Sequence, residues 1–178
     1  KTHLDMKKET RDLLRMRAAA MAIEPEEIKA ASTMMEIITF RLAAETYGIE
    51  SAFIREVYPL KDFTPLPGVP SYILGLINVR GQILTVINLK KFFKLSEQGL
   101  GELNKVIILR DDQMEFGILA DVVLGLQAIA IEDIKVVPPT VSGIGEEYLK
   151  GVTKESLIIL NAGKLLNDKK IIVNNEVS

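Results

Sequence analysis

The chain has 178 residues, of which 48% are hydrophobic and 26% are charged, and its net charge at pH 7 is −2. This length allows one ordinary domain or two very small ones, and the slightly acidic balance offers no general attraction for nucleic acid. Cysteine is absent and histidine occurs once, at His3, so we expect no catalytic, metal-binding or cofactor-binding site.

Residues 1–35 differ in composition from the rest of the chain and predict a helical extension. Leu13, Leu14, Ala18 and Met21 recur at helical spacing, with arginines between them. A basic amphipathic helix can bind membranes, but this apolar face is short and lacks aromatic residues, which favours packing against this protein or a partner. No apolar run approaches the roughly 18 residues of a membrane span, and the charged start does not resemble a signal peptide. We therefore expect a cytoplasmic protein without membrane insertion.

From residue 36 onward the sequence is typical of β-strands and repeats itself. Residues 37–57 (IITFRLAAETYGIESAFIREV) align with residues 106–126 (VIILRDDQMEFGILADVVLGL). Residues 72–93 (YILGLINVRGQILTVINLKKFF) align with residues 148–166 (YLKGVTKESLIILNAGKLL), which pairs Tyr72 with Tyr148, Gly75 with Gly151 and Asn88 with Asn161. Each half thus carries a hairpin, a proline-containing link and a second hairpin.

The two halves predict two small β-barrels within a domain spanning residues 36–167. We expect the first barrel mainly at about 36–100, the second mainly at about 104–167, and a polar tail at 168–178. Each barrel alone would be marginal, because a small unit buries too little surface. A shared apolar interface would stabilise both, with these plausible contributors: Ile107, Ile108, Leu157, Ile158 and Ile159.

Four segments of the chain resemble the CheW family of bacterial chemotaxis coupling proteins. They are YGIESAFIREV, FTPLPGVPSYILGLINVRGQILTVINL, FGILADVVLGL and YLKGVTKESLIILNAGKLL, they occur in the family's order, and they cover about residues 36–167. The stretch GLINVRGQILTVINL is close to the family signature, with Thr85 where proline is usual and Asn88 where aspartate is common. The resemblance implies a mainly β fold of two intertwined, five-stranded SH3-like barrels that share one core.

The resemblance also implies a function without catalysis. Such proteins are adaptors that join the cytoplasmic tip of methyl-accepting chemoreceptors to the regulatory domain of the histidine kinase CheA in ordered arrays. We therefore expect these two partners, and other CheW-like domains besides. Two alternatives stay open: a small-barrel module that binds nucleic acid, and a CheW-like regulatory module that belongs to a larger kinase.

Arg80 is the strongest candidate for a partner contact. It lies next to Gly81 where two predicted strands meet, and no basic residue aligns with it in the second copy, where the turn region is shortened. From the residues alone, a solvated hairpin arginine is the favoured explanation. The resemblance favours a role in receptor and kinase coupling, in which the guanidinium would donate to a partner carboxylate or carbonyl group.

The stretch FIREV predicts a half-buried strand in which Ile54 and Glu56 alternate with Arg55 and Val57. An ordinary exposed acid would explain Glu56, and a core position would explain Ile54. The resemblance instead implies that Ile54 and Glu56 lie on the strand that couples to receptors.

Three further residues are candidates, two of them implied by the same resemblance and the third, Gly75, singled out by its residue type and position. Ile49 and Ser51 align with the edge that the family presents to the kinase. Gly75 either meets a groove ligand or allows close packing of backbone, and its repetition as Gly151 favours a requirement of the fold.

Overall fold

The regular secondary structure in the described part of the chain is mainly β-strand. The computed structural model describes residues 33–95, 104–136 and 146–171. The strands are β1 Met34–Leu42, β2 Glu45–Glu50, β3 Ile54–Pro59, β4 Ile73–Val79, β5 Gln82–Ile87, β6 Lys105–Arg110, β7 Glu115–Ala120, β8 Val122–Ala130, β9 Leu149–Val152 and β10 Ile158–Leu160. The short helices are α1 Leu89–Phe92 and α2 Ala162–Leu166, and the 3-10 turns are Ser51–Phe53, Ile131–Asp133 and Glu146–Tyr148.

The strands form two five-stranded sheets with the same internal order. Sheet A has the order β8-β1-β2-β10-β9, and sheet B has the order β3-β6-β7-β5-β4. The two orders coincide when β1 to β5 are matched with β6 to β10. Each sheet contains one parallel pair at the matching place, Gly48 opposite Ile159 in sheet A and Gly117 opposite Val86 in sheet B. The repeat seen in the sequence is therefore a structural repeat.

Each sheet draws strands from both halves of the chain. Sheet A takes β1 and β2 from the first half and the remaining three strands from the second, while sheet B does the reverse. The intertwined barrels predicted from the sequence agree with this exchange. Three of the five strands of sheet B come from the range 36–100 expected to form most of the first barrel, and three of the five strands of sheet A come from the range 104–167 expected to form most of the second. The other two strands of each sheet come from the opposite half, since β1 and β2 pair with second-half strands. The repeat marks where the copies lie along the chain, but not with which strands they pair.

A single bridge in each sheet brings the two edge strands together into a barrel. In sheet B, Thr64, which follows β3, exchanges two backbone hydrogen bonds with Leu76 of β4. In sheet A, Lys135, which follows β8, does the same with Val152 of β9. These matching bridges turn the two open sheets into two small, similar barrels.

Each closing bridge passes directly over a glycine. A Cβ atom on Gly75 would lie 2.4 Å from the carbonyl oxygen of Thr64, and one on Gly151 would lie 2.5 Å from that of Lys135. Both glycines also have positive φ angles, of 151° and 156°, which side chains with a Cβ rarely adopt. The closure of the barrels therefore accounts for glycine at both positions.

The two barrels share one apolar core. Its buried members come from both sheets, among them Phe40 and Tyr47 of sheet A and Ile107 and Phe116 of sheet B. Two smaller clusters lie apart from it, one formed by residues of sheet B and one mainly by residues of sheet A. Most central strands are thus buried on both faces, which explains their uninterrupted apolar sequences.

The five residues expected at the shared interface are all buried but divide among the three clusters. Ile107 and Ile158 belong to the shared core, Ile108 belongs to the cluster of sheet B, and Leu157 and Ile159 belong to that of sheet A. Successive side chains along a strand point to opposite faces, so neighbours in sequence enter different clusters. The expectation of burial was right, whereas the placement of Ile108, Leu157 and Ile159 was wrong.

The two short helices begin at matching asparagines. The side chain of Asn88 accepts a hydrogen bond from the backbone N–H of Lys90, and that of Asn161 accepts one from Lys164, each at 3.1 Å. These are N-cap contacts, which satisfy backbone donors that have no partner within the helix. The asparagine that recurs in the sequence repeat is therefore a requirement of local structure.

An ion pair between a buried lysine and a partly buried aspartate connects α1 to the other sheet. Lys90, whose side chain is 2% exposed, places its Nζ atom 2.7 Å from Oδ1 of Asp121, which separates β7 from β8. The other carboxylate oxygen of Asp121 accepts a hydrogen bond of 2.9 Å from the backbone N–H of Ala43, in the turn between β1 and β2. This contact links sheet B and its helix to a hairpin of sheet A.

The ends of the predicted domain differ from the boundaries expected. β1 begins at Met34, within the predicted extension at 1–35, whose other residues lie mostly outside the described part of the chain. At the other end, Ile171 is buried in the shared core and Asp168 accepts a hydrogen bond from the hydroxyl of Tyr148. The first residues of the predicted tail at 168–178 are therefore packed parts of the fold, and residues 172–178 lie outside the described ranges.

Candidate functional site

Arg80 lies at the tip of a tight hairpin and points into solvent. β4 and β5 pair up to Val79 opposite Gln82, which leaves only Arg80 and Gly81 in the turn. Their φ angles are 52° and 88°, as in a type I′ turn, and the side chain of Asn78 accepts a hydrogen bond from the N–H of Gly81 at 2.8 Å. The first position of such a turn favours asparagine, aspartate or glycine, so the geometry of the turn does not explain an arginine at this position.

Arg80 is joined to Glu56 of β3. Its Nη1 atom donates to Oε2 of Glu56 over 2.9 Å, and the two side chains are 73% and 19% exposed. Only one of the guanidinium N–H groups is used in this contact, so the others face solvent as a planar set of donors. The two residues that the family resemblance singled out from different segments are thus direct neighbours.

Glu56 also contacts a second arginine, which the sequence did not single out. The Nε atom of Arg55 lies 3.3 Å from the same Oε2 atom of Glu56. The Nη1 atom of Arg55 donates to Glu115 of β7 over 2.9 Å and to Gln82 of β5 over 2.6 Å. Gln82 in turn donates to Glu115. We call these five residues, Arg55, Glu56, Arg80, Gln82 and Glu115, the turn-side network.

A β-bulge in β3 brings the side chains of Arg55 and Glu56 close together. Ile54 pairs with Leu109 and Glu56 pairs with Ile108, so Arg55 is an additional residue without a partner across the strand. A bulge interrupts the strict alternation of faces and redirects side chains. The alternation predicted for FIREV is therefore wrong at this point, and every residue from Ile54 to Tyr58 is partly exposed.

The second copy contains the same bulge without the charges. Thr39 pairs with Gly125 and Phe40 pairs with Val123, which leaves Leu124 as the additional residue of β8. In the sequence repeat, Leu124 matches Arg55 and Gly125 matches Glu56. The bulge is thus a property of the fold, whereas the arginine and glutamate are particular to the first copy.

The comparison of turns corrects one reason for singling out Arg80. In the second copy the strands are shorter, at Leu149–Val152 and Ile158–Leu160, and the connection between them spans residues 153–157. This longer turn carries the exposed Lys154. A basic side chain therefore occurs on both turns, and what distinguishes Arg80 is its tight turn and its contact with Glu56.

The other predicted site residues have different surroundings. Ile54 is partly buried and packs against the shared core. Gly75 lies beneath the closing bridge of sheet B, so its backbone is covered by Thr64. Ser51 lies on the turn after β2 and donates to Glu36 over 3.0 Å.

Ile49 does not lie on an exposed edge. Its side chain is 0% exposed within the shared core, and its strand, β2, runs between β1 and β10. The expectation that Ile49 lies on an edge of the fold was wrong. Among the described strands, β8 is an edge strand with exposed leucines, at Leu124 and Leu126.

Sequence reasoning missed Arg55, Gln82 and Glu115. Gln82 directly follows the Arg-Gly turn, and Glu115 precedes the Phe-Gly-Ile segment that matches Tyr47-Gly48-Ile49. A polar residue at the start of an otherwise apolar strand was the available signal, but it does not reveal which strands meet at one end of a barrel.

The geometry of the site allows it to recognise polar groups of another molecule. Within residues 33–95, 104–136 and 146–171, no group of three or more acidic or histidine side chains could hold a metal ion. No helix in these ranges is long and apolar enough to cross a membrane. The turn-side network instead presents the free donors of Arg80 beside a paired carboxylate.

Comparison with protein families identifies the fold and its relatives. A family model described as "CheW-like domain" matches residues 36–170. The chain belongs to this CheW-like family. The match contains all of sheet B, all of sheet A except the first two residues of β1, and the whole turn-side network. The resemblance inferred from the sequence is confirmed.

Several members of the family are similar to this chain over most of their length. Chemotaxis protein CheW of Treponema pallidum is 32% identical over 165 residues, which covers 89% of this chain and 93% of that protein. Protein FrzA of Myxococcus xanthus is 33% identical over 156 residues, which covers 84% of this chain and 91% of that protein. The crystal structure of the scaffolding protein TtCheW from Thermoanaerobacter tengcongensis matches with a TM-score of 0.65 at 31% identity, covering 71% of this chain and 84% of that chain. The two five-stranded sheets are thus the SH3-like barrels of a CheW fold.

Proposed function

We propose that this protein is a non-catalytic adaptor that couples chemoreceptors to a CheA-type histidine kinase. The match of residues 36–170 to the CheW-like domain carries this proposal. Relatives called chemotaxis protein CheW, and a solved relative described as a scaffolding protein, support it. The partners expected are the cytoplasmic tip of a methyl-accepting chemoreceptor and the regulatory domain of the kinase, and the location is the cytoplasm, at membrane-bound receptor arrays.

The composition of the chain and its similarity to known proteins favour an adaptor over the two alternatives. A nucleic-acid-binding barrel usually presents a basic groove with aromatic platforms, whereas this chain has a net charge of −2 and no tryptophan. A regulatory module of a kinase would share the fold. The similar relatives named above are CheW and FrzA proteins, however, and the matched regions cover 93% and 91% of their lengths.

We assign the main polar contact of the adaptor to Arg80. Its guanidinium is largely exposed, and it is oriented by Glu56 through one hydrogen bond. The remaining donors fit a carboxylate or a backbone carbonyl on a receptor or kinase surface, because a guanidinium presents parallel N–H groups. Ile54 lies on the same strand as Glu56 and supplies adjacent apolar surface. Gly75 acts indirectly by allowing the barrel to close.

Binding measurements with two purified partner fragments test this function. The full chain is titrated with a CheA regulatory domain and, separately, with a chemoreceptor cytoplasmic fragment. We expect affinity on the micromolar scale, on the order of −8 kcal/mol, as is typical of transient complexes. In a reconstituted kinase assay, the chain should make kinase activity depend on the receptor. If the chain bound neither of the two fragments, the proposal would be refuted.

Variants of Arg80 test its part in that function. Arg80→Glu should abolish receptor control of the kinase, whereas Lys154→Glu, the same charge reversal on the matching turn of sheet A, should leave it intact. Arg80→Asn provides a control for folding, because asparagine is favoured in this turn and should keep or raise stability. Normal coupling by both Arg80 variants would show that the contact lies elsewhere.

A further inference from the structure

The turn-side network contains more than the pair formed by Arg80 and Glu56. Two acids and two arginines alternate through space, and Glu56 is shared between both arginines at 2.9 Å and 3.3 Å. Arg80 is 73% exposed, whereas Arg55 and Glu115 are only 21% and 20% exposed. The network thus runs from a partly buried end, at Arg55 and Glu115, to an exposed end at Arg80.

We infer that Arg55 is a positioning residue for Arg80 and acts through Glu56. This inference rests on the proposed function, in which Arg80 contacts a partner. Arg55 is held by Glu115 and Gln82, which belong to two other strands of the same sheet, and it holds the carboxylate of Glu56 in turn. Glu56 then fixes the direction in which Arg80 presents its remaining donors.

The physical basis is preorganisation. A long, exposed arginine on a turn samples many rotamers, and binding a partner would restrict them at a cost in entropy. A carboxylate that is itself fixed can restrict Arg80 before the partner arrives. Arg55 makes this arrangement stable in two ways, because its bonds limit the rotamers of Glu56 and its charge offsets that of two neighbouring acids.

The two copies of the repeat separate this role from the needs of the fold. Both barrels have a bulge at the same place, but the residues in the second are Leu124 and Gly125. A barrel of this kind therefore closes without charges at its bulge. The contact between Arg55 and Glu56 therefore explains the arginine in the first copy. An oriented Arg80 guanidinium suits a partner that presents a carboxylate or a carbonyl group on its surface.

Binding titrations with the two partner fragments form the first test. Arg55→Gln should weaken binding of the partner that contacts Arg80 about three- to fivefold, the range expected when an ion pair near the surface is lost. Arg55→Lys should bind with intermediate affinity, because one ammonium group cannot reach all the acceptors of a guanidinium. Glu115→Gln should cause a smaller loss. Lys150→Gln is the matched control, because Lys150 forms a comparable pair with Glu50 in sheet A, over 3.2 Å and at 31% exposure.

A double-variant cycle distinguishes positioning from a direct or merely structural role. If Arg55 acts through Arg80, Arg55→Gln should cost nothing further in the Arg80→Asn background. An equal loss in both backgrounds would overturn the inference, and so would unchanged binding by Arg55→Gln. Thermal unfolding of each variant shows whether a general loss of stability accompanies the change.

A measurement without any partner separates this inference from the proposed function. In the 15N-labelled full chain, the guanidinium of Arg80 should rotate slowly in the wild type and should lose this restriction in Arg55→Gln, but not in Lys150→Gln. The Arg80→Asn variant lacks this guanidinium, so the signal that disappears in its spectrum belongs to Arg80. No change in Arg80 would overturn the positioning role even where partners bind. If the wild type bound no partner, the proposed function would fail, and the rotation measurement would still decide whether Arg55 orients Arg80.

Discussion

Replacement of Gly75 by alanine tests whether this glycine serves the fold or a partner. The added Cβ would lie 2.4 Å from the carbonyl oxygen and 2.8 Å from the carbonyl carbon of Thr64, so the backbone on one side must move. Such movement strains or breaks the two bridge hydrogen bonds between Thr64 and Leu76, of 2.8 Å and 2.9 Å. Each bond contributes about 0.5–1.5 kcal/mol.

The backbone angle adds to this cost. Gly75 has a φ of 151°, and an unfavourable backbone conformation costs on the order of 1–3 kcal/mol for a residue with a Cβ. The backbone angle and the two bridge hydrogen bonds together should lower the free energy of unfolding of Gly75→Ala by about 2–6 kcal/mol. This is a large share of the roughly 5–15 kcal/mol that stabilises an ordinary domain.

Urea unfolding of the full chain, followed by circular dichroism in the absence of partners, measures this loss. Gly81→Ala is the control, because its φ of 88° is also positive but no atom of the described residues lies within 4 Å of the added Cβ, so only backbone strain of about 1–2 kcal/mol applies. Gly151→Ala should resemble Gly75→Ala, since its Cβ would meet Lys135 in the same way. If Gly75→Ala unfolds like Gly81→Ala and loses only partner binding, the closing bridge does not explain this glycine.

Two further predictions concern the core between the barrels. Lys90→Met should lower the free energy of unfolding by up to about 3 kcal/mol, because it leaves the partly buried Asp121, whose side chain is 26% exposed, without its cation. Asp121→Asn in the same chain should recover part of this loss in urea unfolding. Tyr47→Phe should keep or raise stability, by up to about 1 kcal/mol, because the Tyr47 hydroxyl is buried and has no hydrogen-bond partner among the described residues. Burial, with a smaller effect of Glu45, raises the pKa of Tyr47 from 10.0 to about 12. The unfolded chain therefore ionises first, and wild-type stability should fall as pH rises from 10 to 12, by about 1.4 kcal/mol per pKa unit; an equally steep fall in Tyr47→Phe would contradict this assignment.

Part of the candidate site was accessible from the sequence. The Arg-Gly pair between two apolar runs predicted a hairpin tip, and the hairpin confirms it. The proximity of Arg80 to Glu56 had no local signal, since these residues are separated by 24 positions. At the level of sequence, only the family resemblance placed Arg80 and Glu56 in the same candidate site.

Other features were misjudged because they depend on neighbours far along the chain. Ile49 was expected at an edge, but β10 pairs beside β2 and makes it a central strand. The regular alternation expected around Arg55 failed because a bulge inserts one residue opposite β6. Neither the pairing of strands nor a bulge leaves a reliable mark on the composition of a single strand.

The sequence by itself determined the class of fold, its twofold repeat, the glycines and asparagines that the repeat requires, and the CheW-like family. These properties follow from local preferences and from residues that recur in order, which a linear comparison can detect. The tertiary structure alone decided which half supplies each strand, and it placed Ile49 in the core. It also assembled the turn-side network from three strands. These outcomes depend on pairings between distant segments, and strands that are buried on both faces carry no pattern that shows which neighbour they join.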